Sequence, residues 1–376
     1  MNPIALLGIF LLFFIGLAMF CKVPVAYSIG SATLAVVVAA GMKSSTICTV
    51  AFSGLDSFPL LAVPLFIFAG AIMQHSGIAH ALVDLIQSIV GRLRGSLGAV
   101  TILTSAAFGI LTGSCMATIS CIGGIMIPEM KKKGYSDAYC SALAAASSFL
   151  GILIPPSVPG IMYGLCAGVS ISAVWLSTVG PAICCIILFM LINYFRQGRR
   201  EEKETTPFVL STYAGNVGKT FIRAIPALIM PVIIFGGIYG GIFTATEAGA
   251  AAVLYGIIFY FVKRAMNKNN VDETFMNMTV HAAVSTATIC ILIGFSNCSG
   301  RVISMIGIAE AIKAFVTTHI SSTFGFLIFA NILFLICGML IGFICGFVGA
   351  GGGLMMLLIL TSVLGYELKT AVGTSV

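Results

Sequence analysis

Ser147-Ser148-Phe149-Leu150-Gly151-Ile152-Leu153-Ile154-Pro155-Pro156-Ser157-Val158-Pro159-Gly160-Ile161-Met162-Tyr163-Gly164 is apolar enough to lie in a bilayer, yet it cannot run as one helix. Pro155, Pro156 and Pro159 have no backbone N–H, and their rings clash with the preceding turn. Pro156 pushes Pro155, and Pro155 pushes Ile154, out of the helical region. The helix is therefore predicted to open near Ile154, leaving carbonyls around 150–154 without helical partners. In hydrocarbon such groups are tolerated only against protein or a water-filled cavity. Broken helices at membrane depth are also where secondary transporters hold ions and substrates. One proline would suffice for a plain kink; three, with Gly151, Ser157 and Gly160, favour a site.

Composition agrees with a membrane setting. Of 376 residues, 59% are hydrophobic and only 8% charged, and mean hydropathy is +1.12, whereas a soluble domain carries about 25% charged residues. This is an all-α polytopic membrane protein, each span needing about 20 apolar residues. The net charge of +7 comes from loop Lys and Arg, which orient the chain in its membrane and give no sign of nucleic-acid binding. The twelve cysteines sit mostly in apolar runs without a Cys-x-x-Cys pair. His75, His80, His281 and His319 form no ligand spacing with them, so the thiols read as packing residues. Residues 1–21 lack a basic leader and a small-residue cleavage site and read as an uncleaved first span.

Outward from the Pro-rich break, spans are predicted at 3–21, 24–42 and 58–74, a helix with mixed faces at 78–93, and an interrupted apolar region at 98–130. The broken helix follows at 138–164, then a span at 170–195 and a polar connector at 196–224. Spans at 225–243, 246–263 and 276–296, a second mixed-face helix at 307–318 and an apolar region at 322–365 complete the chain. Basic clusters at Arg92/Arg94, Lys131–Lys133, Arg196–Lys203 and Lys263–Lys268 all favour the cytoplasm. Only one apolar region separates Arg94 from Lys131, so 98–130 must enter the membrane and return as a re-entrant hairpin, its tip at Gly113–Ser114. Counting back places Lys22 inside and Met1 outside.

The chain also repeats itself. Gly77-Ile78-Ala79-His80-Ala81-Leu82 returns as Gly307-Ile308-Ala309-Glu310-Ala311-Ile312, with Gly70 matched by Gly300 upstream. Three spans precede each copy, one set starting outside and the other inside, so the halves are inverted. The organisation read from this is a first repeat at 1–195, a cytoplasmic connector at 196–224, a partial second repeat at 225–340 and a foreign-looking segment at 341–376.

Candidate chemistry gathers at the hairpin tip and the break. Gly113 frees the backbone to turn. Ser114, Thr118 and exposed carbonyls are hard oxygen ligands for a small cation, as are the carbonyls and hydroxyl around Leu150, Gly151, Pro155 and Ser157. Oxygen without an acidic side chain is enough for such a cation. Thr118 and Ser120 read equally well as small residues packing membrane helices. Glu247, in Phe243-Thr244-Ala245-Thr246-Glu247, reads as a partner for a helix N-terminus rather than a substrate contact. Gly349–Gly353 has no following Gly-Lys-Ser/Thr and is not a phosphate loop. No catalytic dyad or nucleophile elbow is present, so no enzyme is expected.

Phe58-Pro59-Leu60-Leu61-Ala62-Val63-Pro64-Leu65-Phe66, Gly113-Ser114, Ile127-Pro128-Glu129-Met130, Leu150–Ser157 and Phe243–Glu247 together resemble the large membrane subunit of a TRAP transporter, the DctM type, over residues 1–340. The resemblance implies an elevator-type, sodium-coupled importer of organic acids such as C4-dicarboxylates in a bacterial inner membrane. It also implies a small membrane subunit of the DctQ type and a periplasmic solute-binding protein. After Gly338-Met339 the expected second polar tip and second Pro-Pro are missing. Instead 342–353 and 371–375 resemble the opening of a sulfite-exporter permease of the TauE/SafE type. One sodium site, in the first half, is therefore expected. The alternatives are a sulfite or sulfonate exporter and a non-transporting membrane scaffold or truncated fusion.

Overall fold

The computed structural model describes residues 3–21, 23–43, 45–198, 210–266, 275–307 and scattered positions between 318 and 339. All regular structure among them is helical. In chain order the helices are α1 (Pro3–Ile15, prolonged by a π-helical turn Gly16–Phe20), α2 (Val25–Ala39), α3 (Ser45–Leu55), α4 (Ala62–His75) and α5 (Ile78–Val90). They continue as α6 (Ser96–Thr112), α7 (Cys115–Thr118), α8 (Gly124–Lys132), α9 (Asp137–Ser148), α10 (Leu150–Leu153) and α11 (Val158–Ala167). The last are α12 (Ile171–Asn193), α13 (Leu210–Tyr239), α14 (Ala245–Met266) and α15 (Phe275–Met305). Among the described residues five helices are long and apolar enough to cross a membrane, or six when the bent α9–α11 stretch counts as one span.

Two compact units divide the chain, Met1–Ser57 with Thr288–Val376, and Phe58–Ala287. In the first, Leu6, Val36, Val37, Ile47, Cys298 and Val302 form the core. The ring of Phe295 occupies the space a Cβ on Gly30 would need. Helix α3 was not among the expected elements, because its serines and threonines break up the hydropathy. Ile47, Val50 and Ala51 nevertheless recur at helical spacing and all three lie on that core.

The second unit holds α4 to α14. Helix α4 buries Ala62, Val63, Phe66, Ala69, Gly70, Ile72 and Met73. Gly249 and Gly256 of α14 let it pack closely, their missing Cβ atoms facing Leu65 and Ile72. The Lys263 ammonium of α14 donates to the Ser76 carbonyl at the end of α4, where a cation suits the helix dipole. The mixed-face helix exists as α5, with Ile78, Ala79, Leu82, Val83 and Leu85 buried and His80, Asp84 and Gln87 exposed. Its buried face meets α6 and α13.

That contact changes one sequence expectation. The helix expected from 225 begins, as α13, at Leu210, inside the stretch read as the connector. The Tyr213 hydroxyl donates to the Ile89 carbonyl at 3.0 Å, and the Ser88 and Thr220 hydroxyls stand 2.8 Å apart. Packing against α5 thus extends the helix beyond its apolar stretch. Glu247 is the expected cap. Its carboxylate accepts from the Thr244 N–H at 2.8 Å and the Thr244 hydroxyl at 2.9 Å, while the Glu247 N–H donates back to that hydroxyl at 3.3 Å. This is a capping box opening α14.

Gly77 and Gly307 share a local geometry. Each stands two residues beyond a helix end, after α4 and α15, and each is left-handed, at φ +69° and +82°. Residues 308–317 of the second mixed-face helix expected at 307–318, and the segment 341–376, lie outside the described residues.

Candidate ion site at the hairpin tip and the helix break

Helix α6 ends where Gly113 turns left-handed at φ +58°. Its N–H closes on the Gly109 carbonyl at 2.7 Å. Ser114 follows in extended conformation, and its Oγ accepts from the Ala117 N–H at 3.3 Å, capping the next helix. The chain then doubles back through α7, a π-helical turn Ile119–Gly123 and α8. Far from the tip, the Thr101 hydroxyl on the outgoing arm reaches the Met130 sulfur on the returning arm at 3.7 Å. The region 98–130 is therefore a helical hairpin turning at Gly113–Ser114, as its glycines and charges predict.

The break lies where the prolines put it. Helix α10 stops at Leu153, Ile154 is extended at φ −82° and ψ 129°, and the Pro155–Pro156 bond is cis. Ser157, extended at φ −122° and ψ 135°, caps α11 by accepting from the Gly160 N–H at 3.2 Å. The axis bends by 42° between Asp137–Leu153 and Val158–Leu165. One expectation needs correction. The Leu150 carbonyl is not left open, because the Ile154 N–H donates to it at 2.9 Å; α10 completes one more turn than supposed. The carbonyls that lose a helical donor are those of Gly151 and Ile152, whose partners four residues on would be Pro155 and Pro156.

Tip and break meet. A Cβ added to Gly113 would stand 2.5 Å from the Pro156 carbonyl oxygen and 3.8 Å from the Ser157 Cα. A Cβ on Gly151 would lie 2.5 Å from the Thr118 hydroxyl and 2.9 Å from the Ser114 carbonyl oxygen. A Cβ on Gly109 would lie 2.5 Å from the Gly151 Cα. Gly113, Ser114, Thr118, Gly151 and Ser157 are thus brought together. Leu150 and Pro155 shape the break from within, and the oxygen facing the tip belongs to Pro156. Thr118, fully buried, points its hydroxyl at the Ser114 carbonyl at 2.8 Å, so it props the tip. Trp175 on α12 donates from Nε1 to the Ser157 carbonyl at 3.2 Å.

Sequence reasoning did not pair the Pro156 carbonyl with Gly113, Gly109 with Gly151, or Cys115 Sγ with Ser148 Oγ, which stand 3.0 Å apart. Contacts made by main-chain atoms or small side chains across 30 or more positions leave no local pattern. The donor set is uncharged: carbonyl ends of α6 and α10 carry partial negative charge, two serine hydroxyls lie beside them, and among the described residues no cluster of three or more His, Cys, Asp or Glu occurs. Such oxygens fit a small alkali cation held between half-helices.

Residues 10–348 match the family described as "Tripartite ATP-independent periplasmic transporter, DctM component". The match continues past Met339, where the resemblance was expected to end. The isethionate TRAP transporter permease protein DctMQ of Oleidesulfovibrio alaskensis is 33% identical, covering 89% of this chain and 51% of its own length. An ectoine/5-hydroxyectoine TRAP transporter large permease protein of Ruegeria pomeroyi is also 33% identical, over 71% of this chain and 63% of its own length. The sialic acid TRAP transporter large permease protein of Vibrio cholerae is 30% identical over 85% of this chain and 74% of its own length. The chain thus spans between about half and three quarters of the length of these relatives. With the match running from within α1 through α15, hairpin and break included, the chain belongs to the DctM family, the large permease subunits of TRAP transporters.

Proposed function

We propose that this chain forms the membrane permease of a three-part uptake system that imports a small organic acid on a sodium gradient. The observation that carries the sodium half is the meeting of Gly113–Ser114 with Gly151–Ser157, where uncharged oxygens converge at a hairpin tip and a helix break. In broken-helix transporters, unwound carbonyls and half-helix C-terminal ends coordinate the coupling ion. The named cargoes of the relatives differ: isethionate, ectoine or 5-hydroxyectoine, and sialic acid. The cargo proposed here is accordingly a class, small carboxylates or sulfonates with C4-dicarboxylates among them.

The partners proposed are a small membrane subunit of the DctQ type and a periplasmic solute-binding protein. The word "tripartite" in the family description and the fused DctMQ relative support them. The matched left-handed glycines Gly77 and Gly307, each two residues past a helix end, support an inverted repeat, and with it an elevator-type cycle. The basic clusters, read as cytoplasmic by the positive-inside rule, favour an inner-membrane chain with Met1 on the periplasmic side.

The test is uptake. The chain is reconstituted with candidate partner subunits in liposomes, and entry of labelled acids is followed with and without an inward sodium gradient. Gradient-dependent, binding-protein-dependent accumulation is expected. Accumulation that persists with potassium in place of sodium would remove the coupling ion from the proposal.

A further inference from the structure

Helix α12 has a long exposed apolar face and few buried points. Leu176, Ile183, Ile187, Leu188, Leu191 and Ile192 are all about half exposed or more. Its buried residues are Trp175, Ala182 and Asn193. Two of these three are hydrogen-bonding side chains, one near each end of the helix, and each reaches the main chain of a different element of the candidate site.

At one end, the Trp175 indole N–H donates to the Ser157 carbonyl, the residue that closes the break. The indole also fills the space beside Gly160, where a Cβ would stand 2.8 Å from its Cδ1 and Nε1, and its ring meets Phe66 edge-on at 5.6 Å. At the other end, the Asn193 side chain is 1% exposed. Its Nδ2 donates to the Gly95 carbonyl at the entrance to the hairpin, at 2.8 Å, and its Oδ1 accepts from the Tyr139 hydroxyl on the first turn of α9 at 2.9 Å. Gly98 has to be glycine for this, because any Cβ there would overlap the Asn193 amide. The amide therefore ties together the base of the hairpin, the base of the broken helix and the end of α12.

We infer that α12 is a strut, and that Trp175 and Asn193 are positioning residues setting the depth at which the hairpin tip meets the helix break. The two side chains are separated by about 27 Å of helix at 1.5 Å per residue. A rod of fixed length bonded to the hairpin base at one end and to the break at the other prevents the hairpin from sliding along its axis relative to Ser157. Buried polar side chains bonded to main-chain carbonyls hold better than lipid-facing packing would, since releasing them in an apolar setting leaves both groups unpaired. The inference rests on the proposed ion site for its functional meaning, but the tip-to-break spacing can be measured without any ion.

The test uses the full chain with its native cysteines replaced. Spin labels are placed at the exposed positions Met116, just past the tip, and Tyr163, in α11 beyond the break. Distances between them are measured by pulsed electron resonance in the parent, Trp175→Phe and Asn193→Leu. Trp175→Phe keeps an aromatic ring but loses the N–H and the five-membered part of the indole; Asn193→Leu keeps a branched side chain of similar shape and loses both bonds. A shifted or broadened distance distribution is expected in both variants, and a distribution like the parent's in both overturns the strut. In parallel, sodium binding is titrated against choline in the same variants, without labels, and in Ser114→Ala. The strut variants are expected to bind sodium about three- to tenfold more weakly, together with a modest fall in the sodium-free melting point from the carbonyls left unpaired. A lowered melting point with unchanged distances and unchanged sodium affinity assigns both residues to plain structural packing. If Ser114→Ala binds sodium like the parent, its hydroxyl is not a ligand; if the parent itself binds no sodium, the ion-site reading fails, and the distance measurement still decides the strut.

Discussion

A Cβ on Gly151 would lie 2.5 Å from the Thr118 hydroxyl, which itself holds the Ser114 carbonyl at 2.8 Å. The broken helix and the hairpin tip are thus in contact through a glycine on one side and a buried threonine on the other. Gly151→Ala is expected to push the tip away from the break and to lower sodium affinity about tenfold or more, by the cost of overpacking a filled site. Calorimetric titration of the purified chain with sodium chloride would check it. Affinity equal to the parent's would show that the tip can yield without loss.

Ser114 has two duties, capping α7 and presenting its oxygens at the tip. Ser114→Thr retains a hydroxyl and the cap and should bind sodium within a few-fold of the parent, whereas Ser114→Ala loses both and should bind clearly more weakly. If the two variants behave alike in the same titration, the hydroxyl has no part in binding.

Replacing both break prolines, Pro155→Ala with Pro156→Ala, restores the N–H groups that Gly151 and Ile152 lack as helical partners. The carbonyls should then be taken up by a continuous helix. Sodium-driven uptake should disappear while the chain still inserts and purifies normally. Uptake at the parent's rate would make the break a kink without a role.

Orientation can be read by labelling. Single cysteines in place of Lys43 and Lys132 in a background without reactive thiols should respond differently to an impermeant maleimide added to intact cells. The first is expected to label and the second to stay protected, since the basic clusters belong inside. The opposite pattern would invert the whole topology.

Thr244→Val removes the hydroxyl's two bonds from the capping box with Glu247 and leaves the backbone N–H bond in place. Amide exchange in the first turn of α14 should accelerate, and exchange at the far end near Lys263 should not. The change is local because a cap satisfies only first-turn donors.

The hairpin turn, the break and the cap on α14 were legible because proline, glycine and the Thr-x-x-Glu spacing act on the backbone of their own segment. The encounter of tip with break followed only indirectly, from counting basic loops. Its atomic basis was out of reach, since Pro156 meets Gly113 through a carbonyl that every residue possesses. The extra turn that occupies the Leu150 carbonyl, the helix that starts at Leu210 and the short α3 share one cause. In each, packing or one more N–H carries helix where hydropathy or proline placement alone would stop it. Asn193 escaped notice because a single amide at the end of an apolar run has no periodic signature. Its meaning appears only with Gly95, Gly98 and Tyr139 around it.

The contact between Gly109 and Gly151 is made of main chain alone. Nothing there can be trimmed, and every amino-acid replacement adds matter to a place already full. Mutational drift through the walls of such a site is free to exchange one side chain for another, and so to alter what is carried. The two glycine codons admit no such traffic. In a saturation library selected for uptake, these positions should emerge as nearly silent columns, set among neighbours that accept many residues.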